Sequence, residues 1–165
     1  MQHFILDAHN IMHKDPTMKR LMDVSLTDAR QALVSLVEGV AIRRADAYLS
    51  IVFAGVNAGV ASPLRNVVIR ETRRFQEADE IIKDLVRRED SPRLTTVVSS
   101  DTEVHNFAKL SGCGVKSSEA FLRELRSSAA HGAKSSPQEK RLAVQDKPTN
   151  VSRAEIEALK KLFGG

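Results

Sequence analysis

Cysteine, aromatic side chains and long apolar runs are all scarce in this sequence. Its 165 residues contain a single cysteine, Cys113. No internal disulfide can form, and a reducing compartment is expected. No stretch approaches the ~18 unbroken apolar residues of a membrane span. The amino terminus lacks the basic stretch and apolar run of a secretion signal. A soluble, cytoplasmic protein with no membrane partner is expected. Aromatic residues make up 4% of the chain, and none clusters with basic residues. Base stacking would therefore be a minor part of any contact with nucleic acid. A G-x-G-x-x-G fingerprint and a Walker A loop are both missing, which argues against a dinucleotide or P-loop site. Strongly one-sided charge is missing too. The net charge is +4, and residues 127–165 hold 7 of the 25 Lys and Arg but only 4 of the 21 Asp and Glu. So mild an excess permits a polyanionic partner without requiring one.

What is present is an alternation of strand-like and helix-like pieces. His3–Leu6 reads as a first strand and Ala47–Phe53, AYLSIVF, as a second. Val67–Ile69 is a short third, Leu94–Val98 a β-branched fourth and Gly114–Lys116 a minimal fifth. Between them, Ser25 or Thr27 can cap a helix running to about Arg44, with Ala29, Leu33, Leu36, Val37 and Val40 on one face. Further helices are expected over Glu77–Arg88, Asp101–Leu110 and Ser117–Ser127. Buried strands alternating with amphipathic helices indicate an α/β fold, a parallel sheet covered on both faces. Length and composition fit one domain over residues 1–127. The polar stretch 128–150 reads as a disordered linker and flexible tail. Residues 151–165 read as a short amphipathic helix, capped by Ser152 and Glu155, with Ile156, Leu159, Leu162 and Phe163 on one side. So short a helix is marginal alone and would dock on the body or on a partner.

Three carboxylates hold comparable places in this pattern. Asp7 ends the first strand, Asp101 follows the fourth in VVSSDTEV, and Asp79 opens a helix in FQEADEII. With strands one and four adjacent, Asp7 and Asp101 would converge at the carboxyl edge of the sheet, where such folds bind ligands, and Asp79 could lean over it. Clustered carboxylates repel one another and normally hold a cation. Hard oxygen donors select Mg²⁺ or Mn²⁺ over zinc. A cation held this way can bind a phosphate oxygen and acidify a water, the chemistry of phosphodiester hydrolysis. Local roles compete with this reading. Asp101 is a natural helix N-cap, Ser100 and Glu103 a capping box, Asp79 a partner of the helix dipole and Asn10 a turn residue. Cys113 reads as a buried thiol with no activating base. His3, His9, His13 and His105 read as solvated or structural, although His9 and His13 could touch substrate.

These stretches resemble a known family. ILDAHNIMH is similar to the opening of the NYN domain, a branch of the PIN-like nucleases, where a strand ends in Asp-x-x-Asn. QEADEIIKDLV resembles its E-A-D-x-x-I-x-x-L helix, TTVVSSDTEV its strand ending in Ser-Asp, and GCGVKSSEAFLREL its last strand and helix. Order and spacing match over residues 3–126, nearest to the YacP-like NYN proteins. The resemblance implies a Rossmann-like, three-layer PIN-like fold with a mostly parallel sheet of about five strands. It also implies a divalent-metal-dependent endoribonuclease using Mg²⁺ or Mn²⁺. Residue by residue, it places the metal on Asp7, Asp79 and Asp101, and gives Asn10 the orienting of a metal water or the phosphate. One position departs. Where YacP-like proteins often end the second strand in F-D-A or F-D-G, this chain has Ala54. Asp46, at the other end of that strand, cannot replace the missing acid.

RNA is the expected partner, in a ribosome-associated mRNA, rRNA or tRNA context. Arg65, Arg70, Arg73 and Arg74, in RNVVIRETRR, could flank the acids and hold the strand, with Ser100 a further candidate substrate contact. The competing reading is a solvated face paired with Glu71 and Glu77. Ala54 also keeps open an RNA-binding NYN module with weakened or lost catalysis. A phosphotransfer receiver shares the architecture, and Lys116 could serve it. It would want a second acid where this chain has His9.

Overall fold

The apolar runs become the strands of one sheet. The computed structural model describes residues 1–56, 59–74 and 77–132. Strand β1 (Gln2–Asp7) leads through helices α1 (Ala8–Lys14), α2 (Pro16–Val24) and α3 (Leu26–Arg43) to β2 (Ala47–Phe53) and β3 (Val67–Glu71). Then come α4 (Ala78–Arg87), β4 (Thr95–Val98), α5 (Thr102–Leu110), β5 (Gly114–Lys116) and α6 (Ser118–Gly132). The strand order is β3-β2-β1-β4-β5 and every pairing is parallel. The chain builds outward from β1 on one side, then crosses to build outward on the other. The switch therefore falls between β1 and β4, where such sheets open a crevice at their carboxyl ends.

Side-chain alternation sorts the strand residues into two layers. Phe4 and Leu6 of β1 and Leu49, Ile51 and Phe53 of β2 pack with α1, α3 and α6, through Ile11, Leu33, Val37, Phe121 and Leu125. Ile5, Val52 and Val97 face the other way, onto Ile82 and Val86 of α4 and Val104 and Ala108 of α5. This is the three-layer arrangement expected. Central β1 is covered on both faces and paired on both edges, so its last residues are buried whatever their chemistry. Asp7, in register with Val52 of β2, is 5% exposed.

Helices α1 and α2 are not anticipated by the sequence reading, which treats His9 and Asn10 as loop residues. Asp7 caps α1 directly, accepting from the Asn10 N–H at 3.2 Å, so strand passes into helix with no loop. Asp15 then caps α2 through the Thr17 and Met18 N–H groups, with Pro16 in the first helical turn. Proline suits that turn because its missing N–H would be unpaired there anyway. Asp15 is almost fully buried and also pairs with Arg126 of α6.

At α5 the N-cap expected of Asp101 forms, its side chain accepting from the Val104 N–H at 3.0 Å. The Ser100–Glu103 capping box does not form, and Glu103 pairs with Lys83 of α4 instead. Helix α6 runs past Ser127 to Gly132, so the first residues assigned to the linker are helical, as Ala129 and Ala130 favour. Met1–Ala129 forms one compact unit. The remainder of the expected linker and the helix at 151–165 lie outside the described residues.

Candidate active site

The turn Ser99-Ser100-Asp101 after β4 organises the carboxyl edge. Ser99 is fully buried. Its hydroxyl donates to Asp7 Oδ2 at 2.8 Å and accepts from the Asp101 N–H at 3.1 Å. One side chain thus ties the acid at the end of β1 to the acid after β4. Asn10 Oδ1 accepts from the Ser100 N–H at 2.9 Å and the Ser118 hydroxyl at 2.7 Å, joining α1 to this turn and to the start of α6. Ser100 Oγ takes the Ser118 N–H and donates to Glu119. The hydroxyls of Ser99 and Ser118, both 0% exposed, are site-building residues that sequence reasoning missed. The doubled serines SS before Asp101 and SS before Glu119 were the available signal, because buried hydroxyls need partners.

Asp7, Asp79 and Asp101 line one pocket of about 400 Å³, together with His9, Asn10, His13, Lys14, Ala54 and Ala78. The local and the functional readings of the acids coexist. Asp7 and Asp101 each spend one oxygen on a helix cap, which fixes the carboxylate, and Asp7 accepts from Ser99 with the other. Asp79 sits in the first turn of α4, whose preceding residue provides no side-chain cap. Burial raises the pKa of Asp7 above the usual carboxylate value. The bonds from Ser99 and Asn10 oppose this, and the charges of Asp79 and Asp101 add to it. Burial likewise raises Asp79, followed by the charge of Asp101, with Lys83 pulling the other way. Asp7 therefore feels the charges of Asp79 and Asp101, and Asp79 that of Asp101.

The donor set suits a hard cation in an open site. Among the described residues, no group of three or more His, Cys, Asp or Glu side chains is placed to hold a metal ion by itself. An ion here would complete its shell with water and substrate oxygens, as Mg²⁺ commonly does. His9 and His13, one helical turn apart on α1, bring their Nε2 atoms to 3.0 Å. Burial lowers the pKa of His9, and the neighbouring His13 and Arg30 add to the effect. Both imidazoles line the pocket, where the sequence reading allows them a substrate contact. His3 bonds Ser50 and pairs with Glu89 at the far end of the sheet, and His105 Nε2 lies 3.3 Å from the Lys116 carbonyl. Cys113 is buried, and burial raises its thiol pKa.

The arginine segment is split by the sheet. Arg65 precedes β3 and lies at its amino end, away from the pocket edge. Arg70 is in the strand, while Arg73 and Arg74 follow its carboxyl end, one strand beyond β2. All four are exposed and make no ion pair among the described residues. Asp46 stands at the amino edge, its carbonyl accepting from the Gln2 N–H. Ala54 lines the pocket and is 4% exposed, so β2 contributes no acid there.

The model of the YacP-like NYN domain matches residues 4–164. Among solved structures, the chain is similar to the crystal structure of Rae1 (YacP) from Bacillus subtilis. Identity is 21% and the TM-score 0.68, over 98% of this chain and 92% of that one. A single-substitution variant of the same Bacillus subtilis protein matches at 19% identity and a TM-score of 0.69, over 94% and 91% of the two chains. No curated protein matches.

Proposed function

The chain belongs to the YacP-like NYN domain family, a nuclease-type family, and from that premise we propose that it is a divalent-metal-dependent endoribonuclease. The observation that carries this reading is the pocket lined by Asp7, Asp79 and Asp101, in which burial, and then the charges of neighbouring acids, raise the proton affinity of Asp7 and Asp79. The three carboxylates would hold Mg²⁺ or Mn²⁺. Such an ion supplies a Lewis-acid contact to a phosphate oxygen and a more acidic water. The remaining work falls to the chain's own residues. Ser99 and the Asn10 N–H keep Asp7 in one orientation. The Asn10 side chain is a positioning group, since its oxygen is already committed to Ser100 and Ser118. His9, kept neutral by burial and by His13, can accept a proton from an attacking water in the same pocket. Arg70, Arg73 and Arg74 would meet the RNA backbone on the β3 side. Ser100 would act by shaping the turn, since its hydroxyl is held by Glu119 and the Ser118 N–H and its own N–H by Asn10.

The test is cleavage of a mixed-sequence RNA in Mn²⁺, with a calorimetric Mn²⁺ titration alongside. Wild type should bind the ion and cleave; Asp101→Asn should bind it at least tenfold more weakly. Equal Mn²⁺ affinity in the two proteins overturns the reading. Ala54 is the specific observation behind the second reading, an RNA-binding module with weakened catalysis. Retention of RNA by wild type without metal and without cleavage would select it.

A further inference from the structure

Arg30 is the buried cation that the site described so far does not use. It lies on α3, is 2% exposed, and reaches the carboxyl end of β2. There its Nη2 donates to the Ala54 carbonyl at 2.5 Å, and its guanidinium lies 5.2 Å from the centroid of the Phe53 ring. Nε and Nη1 are buried and have no hydrogen-bond partner among the described residues. No carboxylate stands within ion-pair distance of it among those residues either, although the charge of Glu71 acts on it. The other pocket-side cations are committed. Lys14 lies 3.6 Å from Glu119, and Lys83 contacts Glu80 and Glu103.

A guanidinium presents a planar fork of donors that matches a phosphate or carboxylate, and enclosing it with donors unpaired is unfavourable. The cost falls when an anion supplies acceptors, so the unpartnered fork favours anion binding. Ala54 connects it to the acids, since the carbonyl that Arg30 holds belongs to a residue lining their pocket. His9 of the same pocket is within reach of its charge. We infer that Arg30 forms a second anion subsite behind Ala54, binding a phosphate of the RNA strand next to the one held at the acids. This rests on the nuclease reading for its substrate but not for its chemistry. The arrangement would place one phosphate against cation-bridged carboxylates and its neighbour against a fixed guanidinium, which sets the strand's direction through the pocket.

The probe is inorganic phosphate, followed by thermal unfolding with and without Mg²⁺. Wild-type protein should gain several degrees in Tm at saturating phosphate. Arg30→Met should fold with an unchanged or higher Tm in the absence of phosphate, because it removes the unpaired donors, and should lose the phosphate response. Its KM for RNA should rise about tenfold with kcat changed less, the signature of lost strand binding. Arg30→Lys, which keeps the charge without the fork, should retain a reduced response and serves if Arg30→Met does not fold. No phosphate response of wild type in either condition overturns the inference, as does a response that survives in the Arg30 variants. The Mg²⁺-only arm reads the acids independently, so failure of this subsite and failure of the metal site are separate results.

Discussion

At the amino ends of the strands, His3 pairs with Glu89 and bonds Ser50, while Thr95 bonds the other oxygen of Glu89. At the carboxyl ends, Asp7, Asp79 and Asp101 line one pocket with no ion pair to any of them among the described residues, and Arg30 is enclosed with two nitrogens unpaired. The same sheet thus treats enclosed polar groups in two ways. One edge satisfies them within the fold, so its charges serve stability. The other leaves like charges facing a pocket and a guanidinium unanswered, an arrangement that folding alone does not reward. Perturbed, unresolved charge concentrated in a cleft is the physical mark of a site waiting for a ligand.

The contrast can be broken from either edge. Asp7→Asn keeps the side chain's size and can still cap α1, but it removes the buried charge. It should lower RNA cleavage in Mn²⁺ by about 10²–10³-fold or more, on the scale of other preorganised electrostatic groups. Steady-state cleavage with circular dichroism as a control for folding checks this, and wild-type rates in the variant would refute it. Glu89→Ala is the complementary change. It leaves His3 Nδ1 without its partner, while Thr95 keeps the Ser91 carbonyl, and it does not touch the pocket. The expected cost is about 1–3 kcal/mol of stability, the penalty for leaving enclosed polar groups unpaired, with cleavage unaltered. Urea unfolding alongside the same assay reads both quantities. A loss of cleavage without a loss of stability would mean that the two edges are not separate in function.

Much of this division was legible in the sequence, for reasons that show where the rest was hidden. AYLSIVF and the TTVV of β4 are largely buried, and their apolar and β-branched side chains declared them. Asp7, Asp79 and Asp101 were legible by topology, because an acid directly after a buried strand or at the start of a crossover helix is delivered to the carboxyl edge of a parallel sheet. Helix α1 was not, since it has seven residues and starts without a loop, which is too short for periodicity to register. For α2 the signal was present in Asp15-Pro16-Thr17, an N-cap followed by proline. Arg30 could not be read at all. On α3 it is one polar residue in an amphipathic helix, and only the packing of Phe53 and Ala54 against it makes it a buried charge. The Asp101 cap was legible, but the Ser100–Glu103 capping box was not formed because the Ser100 hydroxyl is claimed by α6, a partner far away in sequence.

A smaller effect comes from pH. The folded protein holds the carboxyls of Asp7 and Asp79 above the ordinary value of 3.8, so the native state binds these protons more tightly than the unfolded chain does. Stability contributed by this pair therefore falls as pH rises from that ordinary value through the raised native ones, and is flat above them. Metal-free protein should gain stability on mild acidification from neutral pH, and Asp79→Asn should flatten the gain while adding up to about 1 kcal/mol at neutral pH, the scale of relieving one exposed like-charge contact. With saturating Mn²⁺ the slope should reverse, since the ion binds the ionised form. Thermal melts across the acidic range, with and without Mn²⁺, decide the sign. Identical slopes in the two conditions would show that the carboxyl edge does not bind the ion through these groups.

The smallest change expected is also the most informative about Ala54. Ala54→Asp places a fourth carboxylate on the pocket wall, beside the guanidinium that already holds the Ala54 carbonyl. Two neighbours then compete for it. Arg30 offers two unpaired nitrogens, while the three acids offer repulsion that only a bound ion would relieve. Pairing with Arg30 needs no ion, so it should win. Mn²⁺ affinity should then shift by less than about threefold, roughly 0.6 kcal/mol, and the phosphate response assigned to Arg30 should disappear because its donors are occupied. A tenfold gain in Mn²⁺ affinity would mean instead that the new carboxylate turned toward the acids. In that case the carboxyl edge is one ligand short, and the difference between the two ends of the sheet is partly a difference of a single side chain at position 54.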